Sequence, residues 1–383
     1  MNPGPLIVID GQVASPPCTG VPWSVVELVR ALSASERGAR FVLTTDHPEL
    51  YPFLDRAREW RMVACGAGSG TLARVKWTQL GLPRLAGRLG ADVLHVPTFP
   101  TPVLAPCPVL VTIHDVAFRL HPRTVEPLRR WGYRLLLPLS LARSEVVIVN
   151  SHNTGRELAE LYPRAAAKIE VTRFGTPQWV TGREPPPLRG PEAPFLFIGA
   201  LEPRKNLSRI LDAFVGFRRE AAASAAGRGL PRLVIVGADG WCNTGLVNKL
   251  RRTSEDGSVE IVGHCDREEL WQRMISARVL LFPSLHEGFG FPILEAMAAR
   301  LPVITSNRGA MREVAGEAAL LVDPDSTGEI SRAMMRLWRD DDLAGRMAVA
   351  GLEHCRTWDW QATAERTFAA FQRILSRRHL VTK

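Results

Sequence analysis

No two of the six cysteines stand close together. Cys18, Cys65, Cys107, Cys242, Cys265 and Cys355 are scattered through 383 residues. That excludes a zinc-ligand cluster and a secreted disulfide framework, and it points to a reducing compartment. No uninterrupted apolar run reaches bilayer length. The start, MNPGPLIVID, lacks the basic n-region and apolar core of a signal peptide. The expectation is a cytoplasmic protein, resting at most on the inner face of a membrane. Zinc-finger spacing, an RNP-like motif and a long arginine-lysine block are all missing, so nucleic acid is not an expected partner. There is no ordered GxGxxG and no GxxxxGK[ST], which excludes the dinucleotide fingerprint and the P-loop mechanism. No repeat at a solenoid period occurs. No DxD-like motif sits in a convincing site, and no metal or other cofactor is expected.

What is present fits a soluble α/β protein. Hydrophobic residues make up 46% and charged residues 23%. The length exceeds what one core usually supports, so two domains are expected. The formal net charge of +9 favours anionic partners such as phosphates or anionic lipid. Short apolar runs read as buried strands at 6–10, 41–45, 92–96, 109–115 and 145–150, then at 195–200, 232–237, 259–263, 279–284 and 302–307. Helical patterns intervene, for example at 21–34 and 208–223. This alternation predicts two doubly wound domains with mainly parallel sheets. GREPPPLRGPEAP, at 182–194, has neither periodicity and reads as a linker. The expected division is 1–185, 186–364, and a helix over 365–383 that closes the second domain or crosses back to the first.

Ligands of open α/β sheets bind beyond the C-terminal ends of the strands. The first such loop, GQVASPPCTGVPW, carries Thr19 and Gly20 ahead of a helix pattern. Gly20 lets backbone N–H groups approach a phosphate there; an ordinary strand-to-helix turn is the alternative. His114 and Asp115 close the strand in VTIHDVAF. His114 points toward the cleft, where it can donate to a sugar hydroxyl or phosphate, and Asp115 can orient the next loop. A satisfied structural histidine is the competing account. His95 and His152 are similarly placed but less specific, and Ser151, Asn153 and Thr154 suit a helix cap. Arg204 and Lys205, in GALEPRKNL, precede an amphipathic helix and suit a diphosphate, with a solvated surface pair as the alternative.

HEGFGFPILEAMAAR holds Glu287 and Glu295 eight residues apart. On one continuous helix they would lie about 80° apart. Pro292 instead fits a first helical turn. Glu287 then lies in a glycine-rich loop and Glu295 near the start of a helix. The thin loop lets N–H groups face a ligand, and the helix start complements phosphate. Glu295 can accept hydrogen bonds from ribose hydroxyls, while Glu287 can touch the group attached to the phosphate. A pair of surface acids with a capping arrangement is the plain alternative. A glycosidase-like acid/base pair needs a defined carboxylate separation that nothing here indicates.

HEGFGFPILEAMAARLPVITSNRGAMREVAGEAALLVDP, together with GALEPRKNL, resembles the retaining nucleotide-sugar glycosyltransferases of family 4, which have the GT-B fold. The mannosyltransferase-like members look most similar. The resemblance spans nearly the whole chain, is strongest over 195–325, and is weaker at IDGQVASPPCTG and VTIHDVAF. It implies two Rossmann-like doubly wound domains facing a central cleft, with acceptor binding in the first and donor binding in the second. Glu295 would hold the donor ribose and Glu287 would lie near the donor sugar. The Gly290-Phe291 backbone would meet sugar hydroxyls, and Arg204 and Lys205 would hold the diphosphate. His114 would sit near the transferred sugar, with the Gly20 loop on the other side. Ser306 and Asn307, after a strand, would belong to the donor site. The family often has an arginine after the glycine that ends the first strand of the second domain. Here Ala200 follows Gly199, so the diphosphate would rest more on Arg204 and Lys205.

The implied reaction moves a hexose from an NDP-sugar, with GDP-mannose the leading donor, to a hydroxyl of a glycan, lipid-linked or small-molecule acceptor. A nucleotide-sugar epimerase of the same fold and a non-catalytic nucleotide-sugar-binding protein remain as alternatives. The segment 119–144 mixes arginine with leucine, Trp131 and Tyr133. It suits either peripheral contact with an anionic membrane or packing of an ordinary helix against the sheet.

Overall fold

A computed structural model describes residues 4–16, 20–68, 70–224, 228–238, 240 and 244–381. Cys18, Thr19 and Cys242 lie outside them. The chain forms two compact units. The first comprises Met1–Arg119, Pro127–Gly175 and Asp359–Lys383; the second comprises Leu120–Glu126 and Thr176–Trp358.

The first unit is built on a seven-stranded sheet of order β3-β2-β1-β4-β5-β6-β7. Its strands are β1 (Leu6–Asp10), β2 (Arg40–Thr44), β3 (Trp60–Val63), β4 (Val93–Val96), β5 (Val109–Ile113), β6 (Ser144–Val149) and β7 (Ile169–Val171). All pairings are parallel, with Ile7 opposite both Phe41 and Val93. Crossover helices cover such a sheet, so β1, β4 and β5 are buried along their whole length. The helix Val21–Ser33 starts after Gly20, with Pro22 in its first turn, and buries Val25, Val26, Val29 and Leu32. The helix Trp360–Val381 packs against it and belongs to this unit. Phe371 and Ile374 bury its inner face.

The second unit has a six-stranded parallel sheet of order β10-β9-β8-β11-β12-β13. The strands are β8 (Phe195–Ile198), β9 (Leu233–Val236), β10 (Val259–Gly263), β11 (Val279–Phe282), β12 (Val303–Ser306) and β13 (Leu320–Val322). The helix Leu207–Ser224 packs on the helix Thr327–Arg339. Between them Phe217 meets Phe195 at 5.1 Å and Trp338 edge-on at 5.8 Å.

Each of the ten apolar runs is a strand. Three further strands, β3, β7 and β13, sit at sheet edges and are mostly half-buried. Here β3 and β7 mix polar with apolar residues and β13 is only three residues long, so the pattern that marks a central strand is missing. The stretch 182–194 lies on the second unit. Arg189 donates to the Ile275 carbonyl at 3.1 Å, and buried Arg278 donates to the Arg189 carbonyl at 2.8 Å. The division between units falls earlier, after Gly175, and again after Trp358.

Candidate active site

The second sheet reverses its strand order between β8 and β11, so a crevice opens at their C-terminal ends. Two loops meet there. After β8 the chain passes Gly199 and makes a tight turn over Pro203–Lys205. A Cβ on Gly237 would fall 1.9 Å from the Gly199 carbonyl oxygen, so only glycine lets the ends of β8 and β9 approach. Asn206 ends the turn in the left-handed region, at φ 63°, which asparagine tolerates. Its buried amide donates to the carbonyls of Pro283 and Pro324 at 2.9 and 2.7 Å. The Leu285 N–H donates to the Arg204 carbonyl at 2.8 Å. These bonds fix the Arg204 loop against the loop that follows β11.

That second loop carries Glu287. Lys205 Nζ donates to Glu287 Oε1 at 2.7 Å, and Arg204 Nη1 donates to Glu287 Oε2 and to the His286 carbonyl. Glu202 takes the other Arg204 nitrogen at 3.3 Å. Burial works to raise the Glu287 carboxyl, but the charges of Arg204 and Lys205 outweigh it and bring it down to about 2. Burial presses the Lys205 ammonium downward, and Glu287 opposes it. Lys205 Nζ also lies 5.0 Å from the Phe282 ring centre. Two cations thus share two carboxylates. An anion arriving here exchanges most readily with half-exposed Glu202.

Gly290 caps the helix Phe291–Ala298 at φ 109°, with Pro292 in the first turn. Phe289 is buried between Phe291 and Trp358, with ring centres at 4.9 and 5.5 Å. The loop therefore reaches the helix start anchored by an aromatic side chain, with its backbone thin on either side. Glu295 lies on this helix and accepts a hydrogen bond from Trp179. Burial of its carboxyl pushes its pKa up to about 7, against the smaller pull of Trp179, Arg267 and Lys205. Ser306 closes β12 with its buried hydroxyl unpartnered, and Asn307 follows it, exposed.

Gly20 and His114 belong to the first unit. Gly20 precedes its helix at φ 57°. His114 Nε2 lies 2.7 Å from the Pro97 carbonyl oxygen. A carbonyl only accepts, so the proton sits on Nε2 and the Nδ1 lone pair is left without a partner. Burial lowers the His114 pKa and keeps the ring neutral. In this tautomer the open Nδ1 is an acceptor position, whereas the strand-end placement suggested a donor. Asp115 accepts from the Ala117 N–H at 3.0 Å and orients the loop. His95 is a core residue, paired with Thr112 at 3.0 Å, and Ser151 caps a helix.

A family model described as Glycosyltransferase Family 4 matches residues 19–176, and one described as Glycosyl transferases group 1 matches residues 182–354. This chain is a GT-B glycosyltransferase of family 4. The glycosyltransferase is 28% identical over 272 residues to O-antigen chain mannosyltransferase B of Escherichia coli, covering 69% of this chain and 70% of that one. Its fold is similar to that of sucrose-phosphate synthase from Thermosynechococcus elongatus, with a TM-score of 0.73 and 19% identity, over 97% of this chain and 100% of that chain. Anabaena HepE, solved with UDP and glucose, is similar at a TM-score of 0.67 and 14% identity, over 96% and 99% of the two chains.

In the glycosyltransferase the structure brings Arg204, Lys205 and Glu287 into one cluster, where the expectation put the cations at the diphosphate and the acid at the sugar of one donor. Sequence reasoning missed Glu202, Trp179 and His121. Glu202 stands in the same loop as Arg204, and its charge was the available signal. Trp179 and His121, whose ring lies 5.1 Å from that of His286, carried none. Among the described residues no group of three or more His, Cys, Asp or Glu is placed to hold a metal ion.

Proposed function

We propose that this glycosyltransferase moves a hexose from an NDP-sugar to an acceptor hydroxyl with retention of anomeric configuration. GDP-mannose is the leading donor, a choice supported by the similarity to a mannosyltransferase. The observation that carries the reading is the Arg204-Lys205-Glu287 cluster at the β8/β11 reversal, beside the Gly290 helix start. Donor binding is assigned to the second unit and acceptor binding to the first.

In this reading the diphosphate takes Arg204 and Lys205 and the N–H groups near Gly290 and Phe291. Glu295 accepts from the ribose hydroxyls, with Ser306 and Asn307 beside the donor. The anomeric carbon–oxygen bond breaks, and charge grows on the departing diphosphate. Fixed cations stabilise that charge without reorganising. The new bond forms from the acceptor oxygen on the same face, and the acceptor proton passes to the leaving phosphate oxygen. Glu287 holds the two cations in place and supports the sugar electrostatically. His114 Nδ1 accepts from a hydroxyl of the transferred sugar, and the Gly20 backbone lends N–H groups to the donor.

The test is product analysis with a panel of NDP-sugars and hydroxyl acceptors, reading nucleoside diphosphate release and the anomeric configuration of the new glycoside. Lys205→Ala should lower turnover by about a hundredfold or more. An inverted product overturns retention. A released epimer without glycoside overturns transfer, and unchanged turnover and donor affinity in Lys205→Ala overturns the role of Lys205.

A further inference from the structure

The helix Pro127–Arg143 leaves one face of the first unit uncovered. Leu128 is 81% exposed, Trp131 58%, Leu135 69% and Leu139 53%. At 100° per residue these four fall within an arc of about 80°. They form a stripe along one side of the helix, while Leu137 and Leu141 on the other side are buried in the unit. An apolar stripe of this length facing water is a binding surface awaiting an occupant.

The stripe continues onto a neighbouring loop. Ser140 accepts from the Thr101 N–H at 3.0 Å, and Arg143 donates to the carbonyls of Ala105 and Cys107 at 2.7 and 2.9 Å. Between these anchors Val103 and Leu104 are 51% and 84% exposed. The loop therefore adds two apolar side chains beside the helix.

The charge of the sequence that carries this face selects the occupant. From 70 to 144 the sequence has ten Lys and Arg against three Asp and Glu, so this segment carries +7 of the chain's +9. Arg134 places its guanidinium 5.8 Å from the Trp131 ring centre. Apolar residues with a tryptophan, on a segment rich in arginine, suit the boundary between acyl chains and anionic headgroups. A protein partner of the same area would need its own acidic rim around an apolar centre, and a second copy of this chain would bring like charge to like. Among the described residues no helix is long and apolar enough to cross a membrane. The helix is amphipathic and lies along the surface of the unit.

We propose that this face binds the surface of an anionic lipid bilayer, with Leu128, Trp131, Leu135 and Leu104 entering the headgroup–acyl boundary. None of these residues belongs to the Arg204-Lys205-Glu287 cluster, so binding is read separately from transfer.

Flotation of the whole chain with vesicles tests it. Vesicles of phosphatidylcholine and phosphatidylglycerol at 7:3 should carry the protein at low salt, and pure phosphatidylcholine should carry at least about tenfold less. Leu128→Gln/Trp131→Gln/Leu135→Gln should lose about tenfold or more of its partitioning to the anionic vesicles while unfolding at the same temperature. The single change Leu135→Glu, on an exposed site, should act in the same direction. A wild type that stays unbound to anionic vesicles at low salt overturns the proposal. So does a triple variant that floats as well as the wild type. A wild-type dimer in solution that the triple variant dissolves, with no flotation, assigns the face to a second copy and overturns it as well.

Discussion

Replacing Glu295 with glutamine should make the protein more stable in mild alkali and leave it nearly unchanged in mild acid. The carboxyl is raised from its ordinary 4.5 to about 7, chiefly by burial. A raised carboxyl favours the fold when protonated, and that advantage is lost as pH rises from the unfolded value through the folded one. Ionising Glu295 in place therefore costs roughly 3 kcal/mol. The amide of Glu295→Gln has no charge to desolvate, and its oxygen still accepts from Trp179. Side-by-side urea unfolding at pH 5, 6.5 and 8 should show the variant ahead by less than about 1 kcal/mol at pH 5 and by about 3 kcal/mol at pH 8. A gap that stays constant across pH, or a wild type that is the more stable at pH 8, refutes the assignment. A carboxylate kept at such a cost is the expected mark of a site built for a ligand.

Glu287 runs the other way. Its carboxyl is held at about 2, so its contribution is full above about pH 4.5 and fades as pH falls toward 2. Acid titration should show roughly 3 kcal/mol lost by the wild type over that window, and Glu287→Gln should lack this acid-dependent loss. Gly290→Ala forces a side chain to φ 109°, with its Cβ 3.2 Å from Ile293 Cδ1. The cost of about 1–2 kcal/mol should lower the melting temperature by several degrees; an unchanged melting curve would remove the backbone argument.

The central strands were legible because parallel strands covered on both faces must be apolar throughout. The edge strands β3 and β7 were not, since half-exposed strands mix polar with apolar residues, and β13 is only three residues long. The loop from Glu287 to Glu295 was readable from its glycines and Pro292, which fix where a helix can begin. The tie between Lys205 and Glu287 was hidden, because they are 82 residues apart and meet only through the adjacency of β8 and β11. His114 was found at its strand end, yet its tautomer depends on the Pro97 carbonyl, 17 residues away. The final helix begins at Trp360, where its helical pattern starts, and it lies with the first unit because the helix Val21–Ser33 offers it an apolar face.

The carboxylates of Glu202 and Glu287 act as built-in counter-ions for Arg204 and Lys205. Two bare half-buried cations would attract any small anion in the cell, inorganic phosphate included. Already neutralised, they offer little to a passing ion. On the proposed reading, a donor must supply enough contacts elsewhere, along the Gly290 loop and Glu295, to offset the exchange. Selectivity, on that reading, begins with the protein's own carboxylates holding the place of the anion.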